Sequence, residues 1–191
     1  MVDQLALEYA DRPVLFLEQD VDNPLGGRDV RWWAGYGGST TVFLPVAMVD
    51  SGHQVTNGNE DFQTVYSAMV DTALLRPALA RLEVDREQVG NVLDFSIELT
   101  NLSGVTLDSD NGATVYAMVY EDLGKATSSR IVKAVALIPI TGLEDGETET
   151  FSLQVALTDP GWANLPAVVF TEYRPMGSTG AWDMLQAVVQ R

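Results

Sequence analysis

The 191-residue chain contains no cysteine and a single histidine, His53. Without thiols it forms no disulfide, thiolate nucleophile or thiolate metal site. With one imidazole, a zinc site would have to be assembled mostly from carboxylates, and a Ser-His-Asp relay has one candidate base. No metal and no cofactor are expected. Basic residues are also scarce, with 11 Lys and Arg against 27 Asp and Glu and a formal charge of −16. Affinity for nucleic acid rests on Lys and Arg displacing counterions from phosphates, so nucleic acid is not an expected partner. No apolar run approaches the roughly 20 residues that cross a bilayer, so no membrane insertion is expected. The opening Met-Val-Asp-Gln lacks the basic and apolar segments of a secretion signal.

What is present suffices for a folded core. Hydrophobic residues make up 46% of the chain, and a chain of this size buries roughly 70% of the surface its unfolded form exposes. The organisation changes near Pro77. Before it, helical and apolar segments alternate; after it come short alternating runs broken by Gly, Asn, Asp and Pro. The expected division is an α/β domain over residues 1–77 and an all-β domain over residues 78–191, with the boundary at residues 76–80.

In the first part, residues 2–11 suit a short helix ended by Arg12-Pro13, since proline cannot continue a helix interior. Residues 14–19 read as a buried strand and residues 28–36 as a brief helix bearing Trp32 and Trp33. Residues 41–49 read as a strand interrupted by Pro45, and Asp50-Ser51-Gly52 turns the chain into a second strand over residues 53–57. Phe62, Val65, Tyr66, Met69, Val70, Ala73 and Leu74 recur at three- and four-residue spacing and so share one helix face. Asn59 is the expected N-cap of that helix, and Pro77 its stop.

In the second part, Val92, Phe95, Ile97 and Leu99 favour one strand. Over residues 113–121, Val115, Ala117 and Val119 fall on one face of another strand, with Tyr116, Met118 and Tyr120 on the other. Residues 79–85, 130–139, 148–157, 167–173 and 182–189 complete a set of seven. Turns are expected at Asp108-Ser-Asp-Asn-Gly112, Glu121-Asp-Leu-Gly124, Glu144-Asp-Gly146 and Asp159-Pro-Gly161, all rich in residues that tolerate tight or positive-φ conformations. Seven strands of this spacing predict a two-sheet sandwich.

Few constellations carry chemistry. Asp108, Asp110 and Asn111 have the look of a calcium loop, but Gly112 comes one position early and Val119 stands where a bidentate Glu belongs. An Asx-rich turn is the better reading. Glu98 and Glu172 could serve as a glycosidase pair only if a cleft brought them together. The candidate binding residues are Trp32, Trp33 and Tyr36 in a glycine-rich setting, together with His53 beside its turn. Adjacent tryptophans on a short helix cannot both face one core, so one is free for a domain junction or a ligand groove.

Three motifs in the first part, Leu5-Ala-Leu-Glu-Tyr-Ala-Asp-Arg12, Phe16-Leu-Glu-Gln-Asp-Val-Asp22-Asn-Pro24 and Pro45-Val-Ala-Met-Val-Asp50-Ser-Gly52, together resemble a thioredoxin domain from its first core helix onward. That resemblance covers about residues 2–76 and implies a cis peptide bond before Pro45. It also departs from the family, because the preceding central strand and its Cys-x-x-Cys turn are missing. The backbone groups beside that gap need partners, so the expectation is that residues 14–19 pair directly with residues 41–49 or that a second copy donates a strand. A protein partner or self-association through the exposed sheet edge is expected on the same ground. The second part resembles an immunoglobulin-like or fibronectin-like domain, without the antibody-type cysteine pair.

The fold class expected is therefore α+β, a partial thioredoxin-like domain followed by a seven-stranded immunoglobulin-like β-sandwich. The pairing of the two resembles exported bacterial envelope proteins, which implies an extracytoplasmic location. Three functions follow: a non-catalytic binding or structural module; a fragment of a thiol-disulfide oxidoreductase whose Cys-x-x-Cys lies upstream; or a hydrolase using His53 or a carboxylate pair. The first is preferred over an enzymatic role.

Overall fold

Alternation of apolar and polar residues governs most of this chain, and the computed structural model shows where each alternating face goes. It describes residues 2–20, 22, 25–35, 44–57, 61–125, 128–159, 165–177 and 181–190. The elements are helices α1 (Val2–Glu8), α2 (Asp29–Gly35) and α3 (Phe62–Ala73), the strands β1 (Val46–Val49) and β2 (Gln54–Asn57), and the seven strands β3 (Ala80–Val89), β4 (Val92–Asn101), β5 (Thr114–Lys125), β6 (Ser128–Pro139), β7 (Thr148–Ala156), β8 (Ala167–Tyr173) and β9 (Asp183–Gln190). Short 3-10 helices occupy Leu25–Gly27 and Asp50–Gly52.

The last seven strands form two antiparallel sheets, ordered β3-β4-β7 and β6-β5-β8-β9. Leu93, Phe95, Ile97 and Leu99 of β4 point inward with Phe151, Leu153 and Val155 of β7, opposite Val115, Ala117 and Val119 of β5. Period-two alternation places each set on one face, and burying the two faces against each other makes the sandwich core. Asp108 builds an Asx turn, its Oδ1 accepting from the backbone N–H of Asp110 at 2.9 Å and of Asn111 at 3.2 Å. The segment expected to turn at Glu121-Asp-Leu-Gly124 instead stays in β5, where the pairing with β6 shifts between Asp122 and Lys125. A local irregularity accommodates the glycine there without ending the strand. The Pro160-Gly161 turn lies outside the described residues.

The outward face of the four-stranded sheet is covered over much of its area. Tyr116, Met118, Val132, Val168 and Phe170 on its outward side form a second cluster with Leu15, Leu17, Leu25, Val135 and Met184. All seven residues of β8 are buried in consequence. A third cluster lies farther out, built from Leu5 and Tyr9 of the first segment and Tyr66, Met69 and Val70 of α3, with Val14, Phe16, Ala47 and Val49 against it. Residues 14–17 thus alternate between two layers: Val14 and Phe16 face the helices, Leu15 and Leu17 the sheet.

Residues 14–19 nevertheless do not form the expected strand. Their one bridge is parallel, Glu18 to Ile131 of β6, with the Glu18 N–H donating to the Arg130 carbonyl at 2.8 Å and the Glu18 carbonyl accepting from the Val132 N–H at 3.1 Å. Among the described residues the expected direct pairing with residues 41–49 is likewise not made: β1 pairs with β2, and residues 41–43 lie outside the described residues. Leu15 and Leu17 find their apolar partners on the sandwich, and this draws the segment to β6 rather than to the hairpin. Helix α3 begins after Asp61, whose side chain accepts from the Thr64 N–H at 3.3 Å. The expected cap, Asn59, lies outside the described residues, and a cap must directly precede the first helical residue.

The inner core supplies the sandwich's stability, so Ile97→Ala, at a fully buried position, is expected to cost about 2–5 kcal/mol. Urea unfolding checks this: the midpoint should fall with the slope unchanged.

Candidate functional site

Two ion clusters join the N-terminal elements to the sandwich, and a groove opens between them and the helices. The first begins with strand alternation: Val168, Phe170 and Glu172 share the outward face of β8, so a carboxylate stands on an otherwise apolar surface. Glu172 is fully buried. Its Oε2 accepts from Arg28 Nη1 at 2.6 Å and its Oε1 from Arg31 Nε at 2.6 Å. The two arginines lie three residues apart at the start of α2, a spacing that puts them side by side. Arg28 also donates to Ser51 Oγ at 3.3 Å.

Two guanidinium groups against one carboxylate leave an excess positive charge, and aromatic faces receive it. The Arg28 guanidinium lies 5.2 Å from the Tyr116 ring and 5.0 Å from the Phe170 ring, and these two rings stack at 5.0 Å. Arg31 sits 4.5 Å from the Trp182 ring. Such contacts stabilise a desolvated cation by about 2 kcal/mol. Burial, followed by the nearby Glu172 charge, raises the Tyr116 pKa, while both arginines oppose the rise.

The second cluster centres on Arg76, just past α3. Its Nη2 reaches both carboxylate oxygens of Asp183, at 2.6 and 2.7 Å, and its Nη1 reaches Asp50 Oδ2 at 2.9 Å. Asp50 and Ser51 both take left-handed backbone conformations, φ 47° and 62°. Burial raises the Asp50 pKa above its ordinary value of 3.8, and the Arg76 charge opposes this.

The groove has a volume of ≈ 1550 Å³. Residues 14–19 line one side and residues 45–51 the other; Leu5, Tyr66, Met69 and Val70 line it from the helical layer, and Met118, Val168, Phe170 and Met184 from the sheet. The side chains are mainly apolar. Two buried polar atoms interrupt them, Gln19 Oε1 and the Tyr66 hydroxyl, neither with a hydrogen-bond partner among the described residues. Gln19 Nε2 lies 3.9 Å from Met118 Sδ. Burial raises the Tyr66 pKa, so the phenol stays protonated and can donate.

The residues singled out in the sequence are not gathered here. Trp33 is half-buried in α2, the side chain of Trp32 and the whole of Tyr36 lie outside the described residues, and His53 is exposed. His53 Nδ1 is 3.8 Å from Asp183 Oδ1, at the rim of the second cluster. Pro45 lines the groove, and the Leu44–Pro45 bond is cis. Glu98 and Glu172 do not face each other: Glu98 is exposed in the three-stranded sheet opposite Glu83 and Thr150, whereas Glu172 is held by two arginines in the other sheet. Among the described residues no group of acidic or imidazole side chains could hold a metal ion.

Of the residues that organise this region, Arg28, Arg31, Arg76 and Asp183 escaped the sequence reading, which took Asp50 only as part of a turn and Glu172 only as one of a possible carboxylate pair. One signal was available. Glu172 lies in Ala167-Val-Val-Phe-Thr-Glu-Tyr173, and a carboxylate in so apolar a strand needs a cationic partner once buried.

No protein-family model matches the sequence, and no curated protein matches it. Among solved structures the chain is similar to β-glucosidase 3B from Thermotoga neapolitana in complex with glucose, at 14% identity and TM-score 0.34, over 58% of this chain and 15% of that one. A β-glucosidase from Kluyveromyces marxianus in complex with glucose matches at 15% identity and TM-score 0.30, over 58% and 13%. A penta-heme cytochrome c552 from Thermochromatium tepidum matches at 11% identity and TM-score 0.35, over 82% and 49%. The chain spans less than half of each of these proteins. Likenesses this low carry no functional argument.

Glu172→Gln leaves two buried guanidinium groups without their counter-charge, and a cost of about 3–5 kcal/mol is expected. Denaturant unfolding at low and high salt checks both the loss and its insensitivity to salt, since buried pairs are little screened. A second expectation concerns pH. The folded chain binds the Asp50 proton more tightly than the unfolded chain does, so ionising Asp50 costs stability as pH rises above 3.8 and through the raised folded value. Asp50→Asn removes that dependence, and thermal melts should show the variant gaining on the native chain as pH climbs through this window.

Proposed function

We propose that this chain is a non-catalytic binding module, with the β-sandwich as its rigid platform and the groove as its binding surface. The observation that carries this reading is the groove itself, an open and mainly apolar cleft of ≈ 1550 Å³. Its sides are fastened by two neighbouring ion clusters that meet at the Asp50-Ser51 turn, Arg28 and Arg31 on Glu172 and Arg76 on Asp50 and Asp183. Buried, hydrogen-bonded charge pairs fix the geometry of what they join. A concave apolar surface with a few convergent polar atoms is where proteins take up ligands.

The strand order supports the finer reading of the second part as immunoglobulin-like. In that fold A, B and E lie in one sheet and C, F and G in the other; β3, β4 and β7 would take the first set and β5, β8 and β9 the second, with β6 beside β5 as a C′ strand. For residues 2–76, the order helix, extended segment, helix, hairpin and helix supports a thioredoxin-like origin. On this reading the place of the missing central strand is the groove.

An environment-sensitive apolar dye such as anilinonaphthalene sulfonate tests the function, titrated under conditions where near-ultraviolet circular dichroism shows native packing. Saturable enhancement at one site is expected, and Val189→Arg, which sets a charge at an exposed position of the groove lining, should weaken it with the dichroism unchanged. Failure of the native chain to bind the dye, or undiminished binding by the variant, would exclude the groove as a binding surface.

A further inference from the structure

We infer that the groove takes a free single-chain alkyl carboxylate, its chain along the apolar lining and its carboxylate on Arg12; the inference rests on the binding-module reading above and names the ligand class of that same site. Three observations point to this chemistry.

The first is the apolar surface that the groove keeps open. Residues 14–17 cover the side chains beneath them in the sheet and the helices. Those four residues are themselves only half-buried, however, and so are residues 46–49 on the opposite side. Apolar side chains left half in water on both sides of one cleft gain from an apolar occupant. The volume of ≈ 1550 Å³ exceeds the roughly 300–1,000 Å³ of pockets that enclose a compact ligand. A long chain uses that space better than a single ring does.

The second is the kind of apolar side chain present. Four of the six methionines, Met48, Met69, Met118 and Met184, line the groove. They come from the hairpin, the helical layer and the sheet, so every wall carries at least one. Unbranched thioether side chains re-pack at little cost and suit partners of variable shape. An alkyl chain is such a partner, and it asks no hydrogen bonds of the walls.

The third is charge. Four arginines line the groove. Arg28 holds Glu172, Arg76 holds Asp50 and Asp183, and Arg130 holds Asp122. Arg12 is exposed and has no ion pair among the described residues, although acidic side chains outnumber basic ones 27 to 11. Its neighbours in the lining include Ala6, Ala10 and Pro13, none of which competes for the guanidinium. A guanidinium matches a carboxylate with two parallel N–H groups, so an anionic end complements this part of the lining.

The test is calorimetry on the full chain with octanoate, decanoate and dodecanoate below their micellar concentrations. Decanol serves as the uncharged control, and near-ultraviolet circular dichroism verifies native packing. Affinity should rise with chain length, by about fourfold for each methylene that is fully buried. Decanoate should bind about threefold tighter than decanol at low salt, as an exposed ion pair allows, and added salt should shrink the difference. Arg12→Glu should reverse the preference with decanol binding unchanged, while Arg12→Lys should keep it. Equal binding of acid and alcohol, or a preference that survives Arg12→Glu, would overturn the carboxylate; affinity independent of chain length would overturn the alkyl chain. Either result, with dye binding intact, leaves the binding module standing. Failure of dye and acids together would overturn both. Binding to phosphatidylglycerol vesicles without binding of the free acids would overturn the free ligand in favour of a lipid surface.

Discussion

The outward face of the four-stranded sheet, with Tyr116, Met118, Val168 and Phe170 upon it, is apolar and cannot be left in water. Burying such side chains is worth about 1.5–3 kcal/mol each, and the first third of the chain is arranged around that gain. Leu15, Leu17 and Leu25 lie directly on this face, and the helices and hairpin form a further layer beyond residues 14–17. The N-terminal elements and the sandwich therefore depend on each other, although each keeps a cluster of its own.

Apolar contact brings these layers together but does not orient them, because it is non-directional. The orientation comes from Glu172. Its two carboxylate oxygens select Arg28, just before α2, and Arg31 within it, and the stacked rings of Tyr116 and Phe170 receive the charge left over by Arg28. Arg76 does the same close by, fastening the Asp50 turn to the start of β9. The groove opens beside this joint, and Arg28, Asp50, Ser51 and Arg76 are among the residues that line it.

Most of the sandwich strands were legible because they bury one face at period two, as Leu93, Phe95, Ile97 and Leu99 do in β4, and β8, buried on both faces, was legible as a continuous apolar run. Helix α3 was legible for the parallel reason at helical period, with Tyr66, Met69 and Val70 buried as their spacing implies. Residues 14–19 misled the reading, since an apolar run in extended backbone resembles a strand whether or not a neighbour pairs with it. The groove and the pairing of its anchors were not legible, although Glu172 stood out as a carboxylate in an apolar strand. Arg28 and Glu172 are 144 positions apart, and no local pattern links them.

The amino-acid sequence by itself determined the elements, the sandwich and the absence of thiol chemistry, because propensity, periodicity and composition act over a few residues at a time. Only the tertiary structure decided which layer residues 14–19 would join, which carboxylate would hold which arginine and where a cleft would remain. Those outcomes rest on competition among distant surfaces for the same partners. Such competition is settled by packing and burial, and neither is written in any short stretch of the chain.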